Sequence, residues 1–183
     1  DGALDLQYVY RVCETMGKAI AEKGKKHIVV IRSTVLPGTT EECEKILKKY
    51  ANDNVEVGFN PEFLREGSAV KDFDEPGYTI IGTKSSSVEE TLKNMYASVE
   101  APFYVVEPGV AEMIKYGANA WHAAKISFAN EIGRVAKHAG VDGRQVMEIL
   151  VSDRKLNISS AYMRPGFAYG GSCLPKDVRT LDE

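Results

Sequence analysis

The chain has 183 residues, 44% of them hydrophobic, and a formal net charge of −3 at pH 7. This length and composition predict a soluble globular protein with enough apolar residues for a substantial core. The basic residues are dispersed and no apolar run reaches the length of a membrane span, so we expect neither a nucleic-acid nor a membrane partner. The three cysteines, Cys13, Cys43 and Cys173, are odd in number and far apart. They fit a reducing, cytoplasmic environment better than a disulfide framework.

Helices and strands alternate over the first hundred residues. An apolar stripe over residues 6–22, closed by Lys23 and Gly24, predicts the first helix. The later predicted elements are a β-branched buried strand at 27–35, a helix at 40–50, strands at 55–59 and 78–83, a helix opened by a capping-box pattern at 87–90, and a strand at 103–106. This alternation predicts an α/β fold with a doubly wound parallel sheet.

Two loops, 32–38 (RSTVLPG) and 60–67 (NPEFLREG), follow the first two strands. Ligands of such sheets bind at the carboxyl ends of the strands, so Glu62, Arg65 and Glu66 are expected at that face. For any one of these residues, an ordinary solvated charge is the simpler interpretation. No G-x-G-x-x-G motif follows an early strand. Either the sheet binds no dinucleotide, or the half that carries this motif lies outside the chain.

One long helix is predicted at residues 108–139 and a shorter one at 142–150, because no proline interrupts the helical periodicity. One stripe of the long helix carries hydrogen-bonding residues: Lys115, Asn119, His122 and Asn130. A polar surface is the commoner explanation for such a stripe. A second stripe contains apolar and small residues: Met113, Ala120, Ala124, Ser127, Phe128, Ile132, Val135 and Ala139. We expect one helix to serve both an active site and a dimer interface.

The segment AYGGSCLPKD at residues 168–177 presents a cysteine on a glycine-rich turn. Pro175 favours the first position of a helix, whose free N–H groups, together with Lys176, would favour the thiolate of Cys173. Asp177 lies about one helical turn further on and would take or relay a proton. The alternative is that this lone cysteine is a small buried hydrophobe.

Taken together, these motifs resemble the UDP-glucose/GDP-mannose dehydrogenase family. The resemblance rests on RSTVLPGT, NPEFLREG, AEMIKYGANAWHAAK and GGSCLPKD, which follow one another in the family's order. It is strongest to members that oxidise GDP-mannose for alginate synthesis, through FANEIG, GVDGR and YMRPGFAYGG. It implies that residues 1–107 are the C-terminal half of a Rossmann-like NAD-binding domain. Residues 108–183 are then the long central helix and an all-α dimerisation region with the catalytic cysteine, and the glycine motif and the nucleotide-sugar domain lie outside the chain.

The reaction implied by the resemblance is a four-electron oxidation of the C6 alcohol of a nucleotide sugar to a carboxylate, with reduction of two NAD molecules. Cys173 would hold the aldehyde as a thiohemiacetal and then as a thioester that water hydrolyses. Each stage builds negative charge on the oxygen at C6. Lys115 and Asn119 would stabilise that charge, because a cation and an amide donor are suited to it.

The resemblance also implies roles for the remaining site residues, and no metal. Thr34 and Asp177 would organise the catalytic water, and Glu62 would assist proton transfer. Thr34 and Lys176 would also approach NAD. The residues implied to contact the nucleotide sugar are Glu66, Lys115, Asn119, His122, Asn130, Tyr162, Arg164, Phe167 and Gly170.

Three alternatives stay open at this point. A UDP-sugar dehydrogenase would carry the same motifs, since these act at C6 and not on the base. A non-catalytic dimerisation fragment would use the long helix and leave Cys173 idle. A cysteine hydrolase would need a histidine beside the thiol, and neither His27, His122 nor His138 has a sequence context that pairs it with Cys173.

Overall fold

The computed structural model describes residues 4–166, 168–169, 171 and 174–180. Three residues assigned above to catalysis and substrate binding, Cys173, Phe167 and Gly170, lie outside the described residues. The chain forms two compact units, Asp1–Ala120 and Trp121–Glu183.

Seven α-helices and four strands are found among the described residues. The helices are α1 (Gln7–Lys23), α2 (Thr39–Ala51), α3 (Ala69–Asp74), α4 (Ser86–Met95), α5 (Pro108–His138), α6 (Gly143–Ser152) and α7 (Leu174–Thr180). The strands are β1 (His27–Ile31), β2 (Val55–Phe59), β3 (Thr79–Gly82) and β4 (Phe103–Val106). The predicted α/β fold with a long central helix is confirmed. The strand predicted at 27–35 ends four residues earlier, and α3 was not predicted.

The sheet has the order β1-β2-β3-β4 and is not wholly parallel. Strands β1 and β2 are parallel, as are β3 and β4, but β2 and β3 run antiparallel through the single pair Phe59 and Gly82. The prediction of an entirely parallel sheet is therefore wrong at this junction. The helix α3 between β2 and β3 has six residues and spans about 9 Å, against about 17 Å for a five-residue strand. The connection from β2 to β3 therefore contains no helix that runs the length of a strand, and β3 pairs with β2 in the opposite direction.

Helices cover both faces of this sheet. On β1, Val29 and Ile31 belong to a large core that includes α1 and α2, whereas Ile28 and Val30 pack on the smaller cluster that includes α4. The alternation follows from the two-residue period of a strand, which sends successive side chains to opposite faces. The core of the first unit is therefore a three-layer arrangement with the sheet in the middle.

The ends of two helices differ in how well the sequence predicted them. Helix α1 ends at Gly24, whose φ of 61° is the left-handed conformation that the Lys23-Gly24 signal predicts. Helix α4 begins before the predicted capping box, because the hydroxyl of Ser85 accepts a hydrogen bond from the N–H of Val88. Two further serines follow Ser85, so the sequence offered several candidate caps.

The beginning of α5 packs closely against β3. A Cβ on Gly82 would lie 2.8 Å from the Cβ of Ala111 and 2.9 Å from the Cα of Pro108. Only a glycine lets the first turn of the helix approach the strand at this distance. The same side of α5 then buries Glu112, which is wholly inaccessible to solvent, and Lys115, which is 6% exposed.

In the second unit, the later part of α5 packs against α6. A Cβ on Gly143 would lie 3.1 Å from the Cα of Gly133 and 3.3 Å from the Cβ of Ala136, so the two helices meet through small residues. Asp142 caps α6 by accepting hydrogen bonds from the N–H groups of Arg144 and Gln145. Among the described residues, no helix is long and apolar enough to cross a membrane.

Candidate active site

The carboxyl ends of β1 and β2 lie side by side. The N–H of Asn60, just after β2, donates to the carbonyl of Ile31 at the end of β1, at 2.9 Å. The loops 32–38 and 60–67 therefore leave the sheet at the same edge, as the sequence predicted for a ligand-binding face.

Lys115 and Glu62 meet at this edge. The ammonium of Lys115 donates to the main-chain carbonyl of Glu62 and lies 3.4 Å from its carboxylate oxygen Oε1. The ammonium also lies 5.1 Å from the ring centre of Phe63, within the range of a cation–π interaction. The N–H of Leu64 donates to the other carboxylate oxygen at 2.7 Å. This hydrogen bond and the positive charge of Lys115 hold the pKa of Glu62 below its usual range.

The geometry gives Lys115 and Glu62 matched chemistry. The lysine side chain is 8% exposed, so its charge is held close to protein and acts in a lower dielectric than at a free surface. The carboxylate of Glu62 is 37% exposed, so it stays open to water and to a small molecule. The buried cation can stabilise an oxyanion, and the accessible, ionised carboxylate can exchange a proton with the reacting molecule.

Glu112, which sequence reasoning missed, lies one turn before Lys115 on α5. One carboxylate oxygen accepts from the N–H of Gly38 at 2.6 Å. The other accepts from the N–H of Thr40 at 2.8 Å and from its hydroxyl at 2.6 Å. The only sequence signal for Glu112 was an acidic residue in the same helical stripe as Ala111 and Lys115. A solvent-exposed helix face shows the same pattern, so this signal does not distinguish a buried carboxylate.

A second missed group joins the three residues Arg32, Asn60 and Tyr96. The guanidinium of Arg32 donates to the side-chain carbonyl of Asn60 at 3.2 Å and to the hydroxyl of Tyr96 at 2.9 Å. That hydroxyl donates to Asn60 at 2.6 Å, and the Asn60 amide donates to the carbonyl of Ile80 at 3.0 Å. The group lines a cavity of about 40 Å³ beside Glu62, room for roughly one water molecule. It fixes the start of the loop that carries Glu62.

The other predicted site residues of the first unit differ from Lys115 and Glu62 in exposure and contacts. Thr34 is half-buried in the loop after β1, at the same strand-end edge as Glu62. Arg65 forms an ion pair with Asp72 at 2.6 Å and so closes its own loop, while Glu66 is exposed. Asn119 is exposed one turn after the buried Lys115. The structure thus brings Lys115 and Glu62 into contact and leaves Glu66 and Asn119 at the surface.

In the second unit, the predicted site residues that the structure describes are accessible. His122 and Arg164 are exposed, Asn130 is exposed on the later part of α5, and Tyr162 is 90% exposed with a positive φ of 62°. Lys176 and Asp177, on α7, form an ion pair of 3.1 Å with each other. Helix α7 begins at Leu174, so Pro175 is the second helical residue rather than the predicted first.

The two remaining cysteines are structural, as the sequence predicted. Cys13 on α1 and Cys43 on α2 are both buried in the main core as free thiols. The hydrogen bond with Cys13 and burial both raise the pKa of the Cys43 thiol, so it stays protonated near neutral pH.

The fold and this polar edge define an α/β ligand-binding domain followed by a long helix that contributes to the site. Residues 1–100 match the NAD binding domain of the UDP-glucose/GDP-mannose dehydrogenase family, and residues 109–183 match the central domain of that family. The chain belongs to this family, so the resemblance is confirmed.

Individual relatives agree with that assignment. The chain is 53% identical to GDP-mannose 6-dehydrogenase of Pseudomonas aeruginosa over 99% of its own length and 43% of the relative's. It is 41% identical to UDP-glucose 6-dehydrogenase of the same organism, over 99% of its own length and 41% of that protein's. A crystal structure of a ternary complex of the P. aeruginosa GDP-mannose dehydrogenase superposes with a TM-score of 0.96 at 51% identity, over 99% of this chain and 43% of that one. The chain therefore spans under half the length of the curated relatives it matches.

Proposed function

We propose that the protein containing this chain is an NAD-dependent nucleotide-sugar 6-dehydrogenase that oxidises GDP-mannose to GDP-mannuronate. The observation that carries the proposal is the buried Lys115 ammonium against Glu62, at the strand-end edge where open α/β sheets bind their ligands, in a chain whose first hundred residues match an NAD binding domain. Identity of 53% to a GDP-mannose 6-dehydrogenase, against 41% to a UDP-glucose 6-dehydrogenase, supports GDP-mannose as the substrate.

In this reaction the C6 alcohol loses four electrons and gains one oxygen from water. Two NAD molecules, when bound, each accept one hydride from C6, which leaves two NADH and three protons per carboxylate formed. Lys115 stabilises negative charge on the C6 oxygen, and Glu62, ionised and accessible, receives a proton from the reacting group or from water. By resemblance, Cys173 holds the carbon covalently between the two oxidations, with Asp177 and Thr34 at the water.

The strand-end edge suits part of an NAD site. The half-buried Thr34 offers a hydroxyl at the carboxyl end of β1, which suits a polar contact with the cofactor. The pyrophosphate of a dinucleotide needs free N–H groups at a helix N-terminus. At α2 the N–H groups of Gly38 and Thr40 already donate to Glu112 and that of Thr39 donates to the carbonyl of Leu36, so α2 does not cradle the pyrophosphate. We propose that Thr34 and Lys176 contact NAD, while groups other than the α2 N-terminus hold its phosphates.

The long helix supports a homodimer of the full protein. On its predicted apolar stripe, Met113 and Phe128 are 57% and 50% exposed, and Ala120 and Ala124 lie between them at the surface. Burying large apolar side chains beside alanines allows close contact with a second helix. We propose that α5 dimerises, that the boundary between the cofactor domain and the central region lies near residue 107, and that the enzyme is cytoplasmic.

The deciding experiment is an assay of NADH formation by the full-length protein with GDP-mannose and with UDP-glucose. We expect a preference for GDP-mannose and two NADH for each carboxylate. A preference for UDP-glucose would show that GDP-mannose is not the preferred substrate, while the proposed mechanism would remain. No NADH from any nucleotide sugar would instead favour the non-catalytic dimerisation role.

A further inference from the structure

We propose that Glu112 is a positioning residue for this reaction: its carboxylate fixes the first turns of α5 to the N-terminus of α2 and thereby sets the place of Lys115. The inference rests on the proposed function, because Lys115 is the group through which Glu112 acts.

The first step is the cost of burying Glu112. Its side chain is wholly inaccessible, and a buried carboxylate is expensive unless it is hydrogen-bonded. Here three donors from Gly38 and Thr40, at 2.6 to 2.8 Å, surround the two oxygens. The positive end of the α2 dipole adds to their effect. The carboxylate is therefore held at one place with little freedom to move.

The second step is that α2 depends on Glu112 for its cap. The N-cap residue of α2 is Gly38, whose φ of 93° is left-handed and which has no side chain to accept from the first turn. Most helices receive that acceptor from a nearby Ser, Thr, Asp or Asn. In this chain it comes from α5, 72 residues after Thr40. The interaction thus joins two elements that are distant in sequence.

The third step is the relation between Glu112 and Lys115 on one helix. Three residues advance an α-helix by about 4.5 Å and turn it by about 300°, so the two side chains leave α5 about 60° apart. Glu112 holds the loop after β1 through Gly38, and Lys115 holds the loop after β2 through Glu62. With both contacts made, the same stretch of α5 can neither slide nor rotate without breaking one of them. The position of the Lys115 ammonium is therefore set partly by Glu112.

The test is a double-mutant cycle in the full-length enzyme. Glu112→Gln keeps the shape of the side chain but replaces one carboxylate oxygen by an NH2 group. This group cannot accept from the donors of Gly38 and Thr40, so at least one hydrogen bond is lost. We expect kcat to fall at least tenfold while KM for the nucleotide sugar stays within twofold. Combined with Lys115→Ala, the double variant should be no slower than Lys115→Ala alone, because the two residues act through one group. Glu42→Gln, an exposed change in the first turn of α2, is the control and should keep the wild-type kcat.

Two results would overturn the inference. One is losses in kcat that multiply in the double variant, which would mean that Glu112 contributes independently of Lys115. The other is a raised KM with unchanged kcat. If Glu112→Gln does not fold, Thr40→Val decides the matter, since it removes only the hydroxyl donor and keeps both N–H contacts. We expect it to lower kcat about threefold with the same non-additivity, and a wild-type kcat would refute the proposal. A wild-type enzyme that makes no NADH would instead reject the proposed function, and this inference with it.

Discussion

The close contact between β3 and α5 predicts a clear effect for Gly82→Ala. The new Cβ would lie 2.8 Å from the Cβ of Ala111 and 2.9 Å from the Cα of Pro108. Carbon atoms prefer about 3.5 Å or more, so the first turn of α5 would have to move by about 0.7 Å. The Cα of Pro108 is a backbone atom, so a change of side-chain rotamer cannot relieve this contact.

Overpacking of this kind costs about 1–3 kcal/mol in free energy of unfolding. Gly109→Ala is the matched control, because it lies in the same turn and its added Cβ would meet nothing within 4 Å. Alanine is the better helix former by about 1 kcal/mol, so the control should be neutral or slightly stabilising.

Urea unfolding of the 183-residue chain, followed by far-UV circular dichroism, measures both variants. For an m-value of about 2 kcal/mol/M, the midpoint of Gly82→Ala should fall by about 0.5–1.5 M. Equal midpoints for Gly82→Ala and Gly109→Ala would show that α5 does not press on β3 as the structure indicates, and would remove the basis for fixing Lys115 there.

Three further predictions concern Lys115, Glu62 and the association of the chain through α5. In the full-length enzyme, Lys115→Ala should lower kcat about a hundredfold or more with a small change in KM, because the Lys115 ammonium acts on charge that develops in the transition state. Lys125→Ala, an exposed change on the same helix, is the control and should leave kcat unchanged. A raised KM with unchanged kcat for Lys115→Ala would make Lys115 a binding residue only. Because the pKa of Glu62 is lower in the folded chain than its value of about 4.3 in the unfolded chain, ionised Glu62 stabilises the fold above that pH. This contribution disappears as the pH falls through the folded-state pKa. Glu62→Gln should therefore lose less free energy of unfolding than wild type between about pH 5 and pH 3. The 183-residue chain should self-associate through α5 and bind NAD weakly or not at all, since its sequence has no G-x-G-x-x-G loop to hold the pyrophosphate. Sedimentation and calorimetry test this, and a monomer that binds NAD at micromolar concentration would contradict it.

Much of the fold follows from local patterns in the sequence. The strands β2 and β4 lie where the β-branched and aromatic runs predicted them, and α5 extends over the proline-free stretch to within one residue of the predicted end. The direction of β3 was not predictable in the same way. It depends on how the loop after β2 folds back, and a six-residue helix inside a charged loop leaves little periodic signal.

The sequence by itself determined which residue types gather at the site and in what order, because motifs such as NPEFLREG and EMIKY place Glu62 and Lys115 near predicted element ends. Only the tertiary structure decided that Lys115 is buried against Glu62 while Asn119, one turn later on the same stripe, is exposed. It alone assigned Glu112 to the cap of α2. A helical stripe fixes which residues share a face, but which part of that face is covered depends on partners that are distant in the chain.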